Sequence, residues 1–260
     1  MDKIKNITLF HLLFTFLGGV LLLFIIAPIA GMYLHTSGAA LTETIKAEDV
    51  RDSIWLSIWT SMAGTILFSF LAIPLAYILA RKNFPLKSLV NGIVDIPIII
   101  PQSVAGIAVL GIVTRDSWLG QFADLFGINF VGNPAGIVIA MAFVSIPFLI
   151  NSARDGFAAV PVRLEKVALT LGASPVRVFF TVSLPLAWRS ILSGLILMWG
   201  RGMSAFGAVI IVAYNPQTAP VLIYERFTTY GLKYSVPAAV IFVSVCLLLF
   251  VLLRITKKNV

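Results

Sequence analysis

The chain has 260 residues, of which 59% are hydrophobic and only 12% are charged, and its mean hydropathy is +1.00. A soluble domain carries about twice that charged fraction, so the composition excludes a water-soluble fold and indicates a protein whose solvent is lipid. The net charge of +8 would suggest a nucleic-acid partner in a soluble protein. In a membrane protein the distribution of the positive charges indicates instead which loops face the cytoplasm. We therefore expect no nucleic-acid partner.

Six stretches are long and apolar enough to cross a bilayer, which takes about 20 residues. They are predicted at 7–34, 53–80, 89–114, 134–153, 187–212 and 236–253. The first exceeds the apolar core of a signal peptide, which spans about 7–15 residues, and is therefore expected to be retained. The sequence predicts an all-α integral membrane protein with six transmembrane helices in one domain over residues 1–260.

Positive charges are unevenly divided between the two sets of loops. One set holds thirteen: Lys3, Lys5, Arg81, Lys82, Lys87, Arg154, Arg163, Lys166, Arg177, Arg189, Arg254, Lys257 and Lys258. The other set holds five: Lys46, Arg51, Arg115, Arg226 and Lys233. The positive-inside rule places the richer set in the cytoplasm, and with it both chain termini.

Several chemical roles lack the residues that they need. Two histidines, His11 and His35, and one cysteine, Cys246, are too few for a metal site or an internal disulfide. No G-x-x-x-x-G-K-[ST] phosphate-binding loop occurs in the sequence. We therefore expect no catalytic residues, no metal and no bound ATP on this chain.

The loop at 154–188, on the predicted cytoplasmic side, has the pattern of two short helices separated by a glycine. Apolar residues at i, i+4 and i+7 form one face of the first helix: Leu164, Ala168 and Leu171. Gly172 is placed to end that helix, because glycine adopts positive φ readily. Ser174 and Pro175 suit the N-cap and first position of the next helix, and Leu184-Pro185 is expected to punctuate the approach to the fifth span.

This loop resembles the EAA signature of permeases from ATP-binding-cassette (ABC) importers. Glu165, Ala168, Gly172 and Leu184-Pro185 are in register, and Val167 replaces the usual first alanine. The resemblance implies a type I ABC importer-like fold in which the short helix docks into a cleft on an ATPase subunit. The coupling residues it implies are Glu165, Ala168, Leu171, Gly172, Ala173, Ser174, Leu184 and Pro185. An ordinary amphipathic helix at the membrane interface is the alternative interpretation.

Other segments resemble the oxyanion importers, and most closely their molybdate/tungstate branch, over roughly residues 53 to 245. They read DIPIIIP at 95–101, SVAGIA at 103–108, RGMSAFGA at 201–208 and TAP at 218–220, followed by LIYER at 222–226. Relatives commonly carry glutamate where this chain has Ala205, so any role of that acid is absent here. Sulfate or another small anion is the alternative substrate, and a secondary transporter or channel is the alternative class.

The same resemblance implies an assembly and a mechanism. Two copies of the chain in the lipid of a prokaryotic plasma membrane would form the pathway. Two ATPase subunits would hold ATP and magnesium, and an extracytoplasmic protein would deliver the oxyanion. Hydrolysis on the partner would then drive alternating access in this subunit.

Polar and helix-breaking residues mark a candidate translocation path. Pro97 and Pro101 remove backbone hydrogen bonds within the third span, which is tolerated only where protein or water receives the freed groups. Gln102 and Ser103 follow and are candidates to line an aqueous path. A kink packed against neighbouring helices is the alternative.

Arg201 lies near the middle of the predicted fifth span, where a charge is costly and normally faces the bundle interior. We expect it to pair with Asp95 or Asp155, and a role in attracting the passing anion is the alternative. The candidate path residues are Pro101, Gln102, Ser103, Arg201 and Ser204.

Overall fold

The computed structural model describes residues 2–258, and within this range the side chains of residues 9–253 and 255. The terminal cations Lys3, Lys5, Arg254, Lys257 and Lys258 lie outside the described side chains. Residues 2–258 form thirteen α-helices and no strand. The helices are α1 Asp2–Leu34, α2 Gly38–Lys46, α3 Glu48–Arg81, α4 Lys87–Ile99, α5 Gln102–Val113, α6 Trp118–Asp124, α7 Pro134–Ala159, α8 Val162–Thr170, α9 Pro175–Val178, α10 Leu184–Met203, α11 Gly207–Val212, α12 Ala219–Tyr230 and α13 Leu232–Lys258.

The all-α fold and the number of spans agree with the sequence prediction. Five helical stretches are long and apolar enough to cross a membrane: Leu9–Leu34, Glu48–Arg81, Pro134–Ala159, Pro175–Met203 and Leu232–Leu253. α4 and α5 are long and apolar enough only as a pair, which makes a sixth crossing if the two count as one broken span. The third and the fifth predicted spans differ most from the prediction, in shape or in bounds.

The third predicted span is broken, as its two prolines indicated, and α4 and α5 are bent by 111°. Pro97 lies inside α4 without ending it, whereas Pro101 is the N-cap of α5. Proline has no amide hydrogen and forces the residue before it into an extended backbone. Ile100 accordingly has φ −72° and ψ 145°, and the break falls there.

The fifth predicted span, 187–212, begins and ends too late. Helical backbone runs from Pro175 to Met203 and is interrupted there, and α11 is a separate helix. The expected punctuation at Leu184-Pro185 is also wrong, because a π-helical segment, Phe179–Ser183, leads directly into α10. A π turn is wider than an α turn, so the chain passes Pro185, which has no amide hydrogen, without ending the helix.

The centre of the bundle is formed by α3, α7 and α10, which pack side by side through buried alanines and larger apolar side chains. Buried hydroxyls on α3 bond back to carbonyls three or four residues earlier, which satisfies them in an apolar interior: Ser53, Ser57, Thr60, Ser61 and Thr65. The Ser57 hydroxyl also accepts a hydrogen bond from the Ala219 amide at 2.8 Å, at the start of α12. α5 and α11 pack together against α7 on one flank of this core.

Candidate functional site

The loop at 154–188 forms a helix, α8, that ends in the predicted way at Gly172. This residue has φ +86°, a left-handed conformation that side chains with a Cβ rarely adopt. Its amide donates to the Leu169 carbonyl at 3.0 Å, and the Ala173 amide donates to the Ala168 carbonyl at 3.1 Å. These two bonds form a Schellman motif, which satisfies the last carbonyls of α8.

The second short helix also begins where the sequence predicted. Ser174 is the N-cap of α9, its hydroxyl accepts a hydrogen bond from the Arg177 amide at 3.3 Å, and Pro175 is the first helical residue. The sharp turn between α8 and α9 is therefore fixed by local sequence.

Exposed apolar side chains surround this turn. Six side chains are between 44% and 82% exposed, and we call them the coupling surface: Val162, Leu164, Val167, Leu169, Leu171 and Val176. Ala168, predicted to share a face with Leu164 and Leu171, is half-buried. α8 has nine residues, too few to cross a bilayer, and a cluster of exposed apolar side chains marks an interaction site.

Glu165 is buried inside the subunit, unlike the six exposed residues of the coupling surface. It is 7% exposed, and its Oε1 accepts hydrogen bonds from Arg81 Nε at 2.9 Å, Arg81 Nη2 at 2.8 Å and Ser183 Oγ at 2.6 Å. Arg81 Nη2 also donates to the Val160 carbonyl at 3.0 Å. The signature glutamate is thus bonded inside the subunit.

The remaining predicted coupling residues lie around the same turn. Ala173 and Leu184 are half-buried, whereas Ser174 and Pro185 are exposed. Arg81 and Glu165 join the end of α3 to the loop at 154–188, and the charge bias assigns both to the cytoplasm. On the other set of loops, Arg226 forms an ion pair with Asp49 at 2.7 Å.

Gln102 joins two helix breaks, one between α4 and α5 and one between α10 and α11. Its Oε1 accepts hydrogen bonds from the amides of Phe206 at 3.3 Å and Gly207 at 3.1 Å, at the start of α11. α5 and α11 also approach each other closely at Gly106, where a Cβ would lie 3.0 Å from the Ala208 Cα. Pro101, Gln102 and Ser103 therefore lie beside the start of α11.

Arg201 and Ser204 lie on the other side of the second break. Arg201 is half-buried in the last turn of α10, Ser204 is exposed just after it, and Arg201 Nη1 donates to Ser204 Oγ at 3.4 Å. Ser204 also borders an apolar groove between α10 and α13. Ala205 is fully buried between these residues and α11.

The predicted pairing of Arg201 with Asp95 or Asp155 is wrong within this subunit. Asp95 accepts a hydrogen bond from Asn151 Nδ2 at 2.7 Å, and Asp155 pairs with Arg154 at 3.3 Å. α10 ends soon after Arg201, so this guanidinium lies beside a helix break rather than in mid-helix. Among the residues whose side chains are described, Arg201 has no acidic partner.

Sequence reasoning missed four residues of these two sites: Arg81, Ser183, Phe206 and Gly207. Arg81 was counted only as a positive charge, and its partner lies 84 positions away. The Ser-Ala-Phe-Gly run at 204–207 was the one signal for the second break, since small residues and glycine weaken a helix. Among the described residues no group of three or more His, Cys, Asp or Glu could hold a metal ion.

Comparison with known proteins places the chain in a defined group. The family described as "Binding-protein-dependent transport system inner membrane component" matches residues 72–260. The molybdate/tungstate transport system permease protein of Thermococcus kodakarensis is 46% identical over 251 residues, covering 95% of this chain and 96% of the relative. The protein of the same name from Methanocaldococcus jannaschii is 39% identical over 235 residues, covering 90% and 92%.

The fold is shared with a solved structure of distant sequence. The crystal structure of a bacterial ABC transporter involved in the import of the acidic polysaccharide alginate contains a chain that matches with a TM-score of 0.74. The match covers 100% of this chain and 99% of that one at 16% identity. At this identity the likeness shows a common fold.

Proposed function

The chain belongs to the family of binding-protein-dependent transport system inner membrane components. We propose that it is the membrane-spanning subunit of an ABC importer and carries molybdate or tungstate across the membrane. It is a multi-pass protein of the prokaryotic plasma membrane, with the fold of type I ABC importer permeases. The substrate assignment is supported by the names of relatives at 46% and 39% identity. Sulfate is the alternative substrate, and experiment must distinguish its transport from that of molybdate and tungstate.

The observation that carries the coupling role is the coupling surface itself. Apolar side chains on a nine-residue helix are exposed at the turn that Gly172 and Ser174 fix. We assign this surface to the ATPase subunit, one ATPase for each copy of the permease. ATP and magnesium would then be bound only on the ATPase, and this chain would contribute movement without catalysis.

α1 supports an assembly of two copies. None of the apolar span Leu9–Leu34 is buried in the single subunit. The side-chain bond that connects it to the rest of the bundle is between Tyr33 Oη and Ser244 Oγ, at 2.6 Å near its end. A helix so loosely attached along its length is available to pack on a second copy or on lipid. The translocation path would then run between two copies, with an extracytoplasmic protein delivering the anion.

The double helix break is the proposed path. Broken helices at membrane depth are tolerated where they line a cavity, and uncharged donors beside a cation suit an oxyanion. Gln102, Ser103 and Ser204 supply polar side chains, and Arg201 supplies the positive charge. In alternating access these residues would face the two sides of the membrane in turn, with both termini in the cytoplasm.

Reconstitution tests the proposal directly. The permease is co-expressed with its ATPase and binding protein, purified as a complex and placed in lipid vesicles. Uptake of molybdate, tungstate and sulfate is then measured with ATP enclosed in the vesicles, on the side that the ATPase faces. We expect ATP-dependent uptake of molybdate and tungstate, and none with a hydrolysis-deficient ATPase as the control. Uptake of sulfate alone would overturn the substrate assignment. Uptake that needs no ATPase would overturn the importer role in favour of a channel or secondary transporter.

A further inference from the structure

We propose that Arg81, Glu165 and Ser183 form a mechanical link that transmits movement of α8 to the cytoplasmic ends of α3 and α10. We call these three residues the clamp. The inference rests on the proposed docking of α8 to an ATPase and concerns what happens after docking. It makes Glu165 a positioning residue that acts through Arg81 and Ser183.

Four structural elements converge on the clamp. Arg81 is the last residue of α3, Glu165 lies in the first turn of α8, and Ser183 ends the π-helical segment that leads into α10. The Val160 carbonyl, at the end of α7, accepts a hydrogen bond from Arg81. One carboxylate therefore connects the short helix to two of the three helices that form the bundle centre.

Glu165 is the only buried residue of α8. The other residues of this helix are exposed or half-buried, so the contact that buries part of α8 in the protein is made by a charged group. Apolar packing can slide when a helix shifts, whereas hydrogen bonds break when their geometry is lost. Movement of α8 must therefore carry Arg81 and Ser183 along or break the bonds to Glu165.

The bonds are arranged to resist separation. Three donors, Arg81 Nε, Arg81 Nη2 and Ser183 Oγ, point at the same oxygen, Oε1, at 2.6–2.9 Å. The Arg81 and Glu165 side chains are only 8% and 9% exposed, so water cannot readily take the place of either partner. Buried ion pairs contribute little net stability compared with apolar residues of similar volume. A pair retained at this junction is better explained by position than by stability.

The test separates transmission from stability with an apolar replacement. The double variant Arg81→Met/Glu165→Leu keeps the volume but removes the bonds, and such replacements are often neutral for stability. It is studied as the full complex with ATPase and binding protein in vesicles. We expect a modest fall in melting temperature, because the Val160 carbonyl and the Ser183 hydroxyl lose their partners, and unchanged co-purification of the ATPase. Uptake and the ATP hydrolysis stimulated by loaded binding protein should fall roughly two- to thirtyfold, while basal hydrolysis persists.

Two single variants complete the design. Ser183→Ala removes one bond and leaves the ion pair, so it should fold even if the double variant does not, and it should raise the ATP consumed per anion. Asp155→Asn is the matched control, because it also removes a carboxylate that pairs with an arginine on the predicted cytoplasmic side. The Asp155 side chain is 73% exposed, whereas that of Glu165 is buried. It should leave coupling unchanged.

The outcomes that overturn the inference are distinct from failure of the proposed function. Wild-type uptake and ATP consumption in both clamp variants would show that the clamp only stabilises the fold. Loss of the ATPase from the double variant would show that the clamp serves docking rather than transmission. If the wild-type complex neither holds an ATPase nor takes up anions, the proposed function fails, whatever the variants do.

Discussion

The side-chain oxygen of Gln102 accepts a hydrogen bond from the Gly207 amide at 3.1 Å, so the first residue of α5 is bonded to the first residue of α11. Each helix begins just after a break, and the two breaks therefore meet. The same oxygen accepts from the Phe206 amide, which leaves the Gln102 amide nitrogen free of these two bonds. A single side chain thus supports a break and carries a polar donor beside it.

The substitution Gln102→Glu separates the support from the chemistry of the path. A carboxylate can accept the same two amide hydrogen bonds, and charge-assisted bonds are stronger, so we expect assembly and melting temperature to remain near wild type. A negative charge beside the path repels an oxyanion, and uptake should fall by roughly tenfold, equivalent to about 1.4 kcal/mol. The measurement is reconstituted uptake alongside thermal unfolding.

Two further substitutions control this experiment. Gln102→Ala leaves the Phe206 and Gly207 amides without their acceptor, at a cost of about 1–3 kcal/mol, and should lower the melting temperature. Gln121→Glu adds the same charge at an exposed site on α6 and should change neither quantity. Wild-type uptake by Gln102→Glu would remove Gln102 from the path.

Gly172→Val tests the turn that presents the coupling surface. Valine at φ +86° is a steric outlier, and the left-handed conformation costs a residue with a Cβ about 1–2 kcal/mol. We expect the subunit to reach the membrane but to lose ATPase in co-purification and to lose substrate-stimulated hydrolysis. Gly172→Asn is the control, since asparagine tolerates this conformation, and it should retain most of the association. Unchanged transport in the valine variant would contradict the docking role.

Local sequence predicted the parts of the molecule that depend on neighbouring residues. The Schellman turn at Gly172 and the N-cap at Ser174 follow from backbone preferences within a few residues, and both are present. The break at Pro101 was signalled by proline, although its angle was not, because a bend of 111° depends on what α5 packs against.

Long-range contacts were not readable in the same way. The burial of Glu165 depends on Arg81, which lies on a different helix and appears in the sequence as one more cytoplasmic cation. The error at Arg201 had a similar source. A continuous apolar run predicted one span, whereas the helix ends at Met203 and leaves the guanidinium near a helix break.

Topology is testable by cysteine labelling in a Cys246→Ser background. The thirteen-to-five bias of positive charge predicts that cysteines at Lys87 and Arg177 are reached by a membrane-impermeant thiol reagent only from the cytoplasm. Cysteines at Glu43 and Asp124, both exposed, should react only from outside, and they serve as the opposite-side control. Labelling of the Arg177 position from outside intact cells would invert the orientation and place α8 where no ATPase could reach it.

Arg201→Ala decides whether this cation serves the fold or the path. Because Asp95 and Asp155 have other partners, removing the guanidinium leaves neither of them unpaired. We therefore expect the free energy of unfolding to change by no more than an ordinary surface substitution changes it, about 0.5 kcal/mol, and the melting temperature to stay near wild type. The guanidinium carries five donors, and its one side-chain bond among the described side chains, to Ser204, is long at 3.4 Å. Most of its hydrogen-bonding capacity is thus available to an oxyanion, and uptake should fall while assembly is complete.

The double variants Arg201→Ala/Asp95→Asn and Arg201→Ala/Asp155→Asn make the distinction sharp. If Arg201 neutralised either acid, including one from a second copy, the single variant would lose about 3–5 kcal/mol of stability. The matching double variant would then recover part of that loss. On the path account neither double variant restores uptake, and Arg201→Lys, which keeps the charge with fewer donors, retains part of it. A large fall in melting temperature that Asp95→Asn repairs would return Arg201 to a structural role.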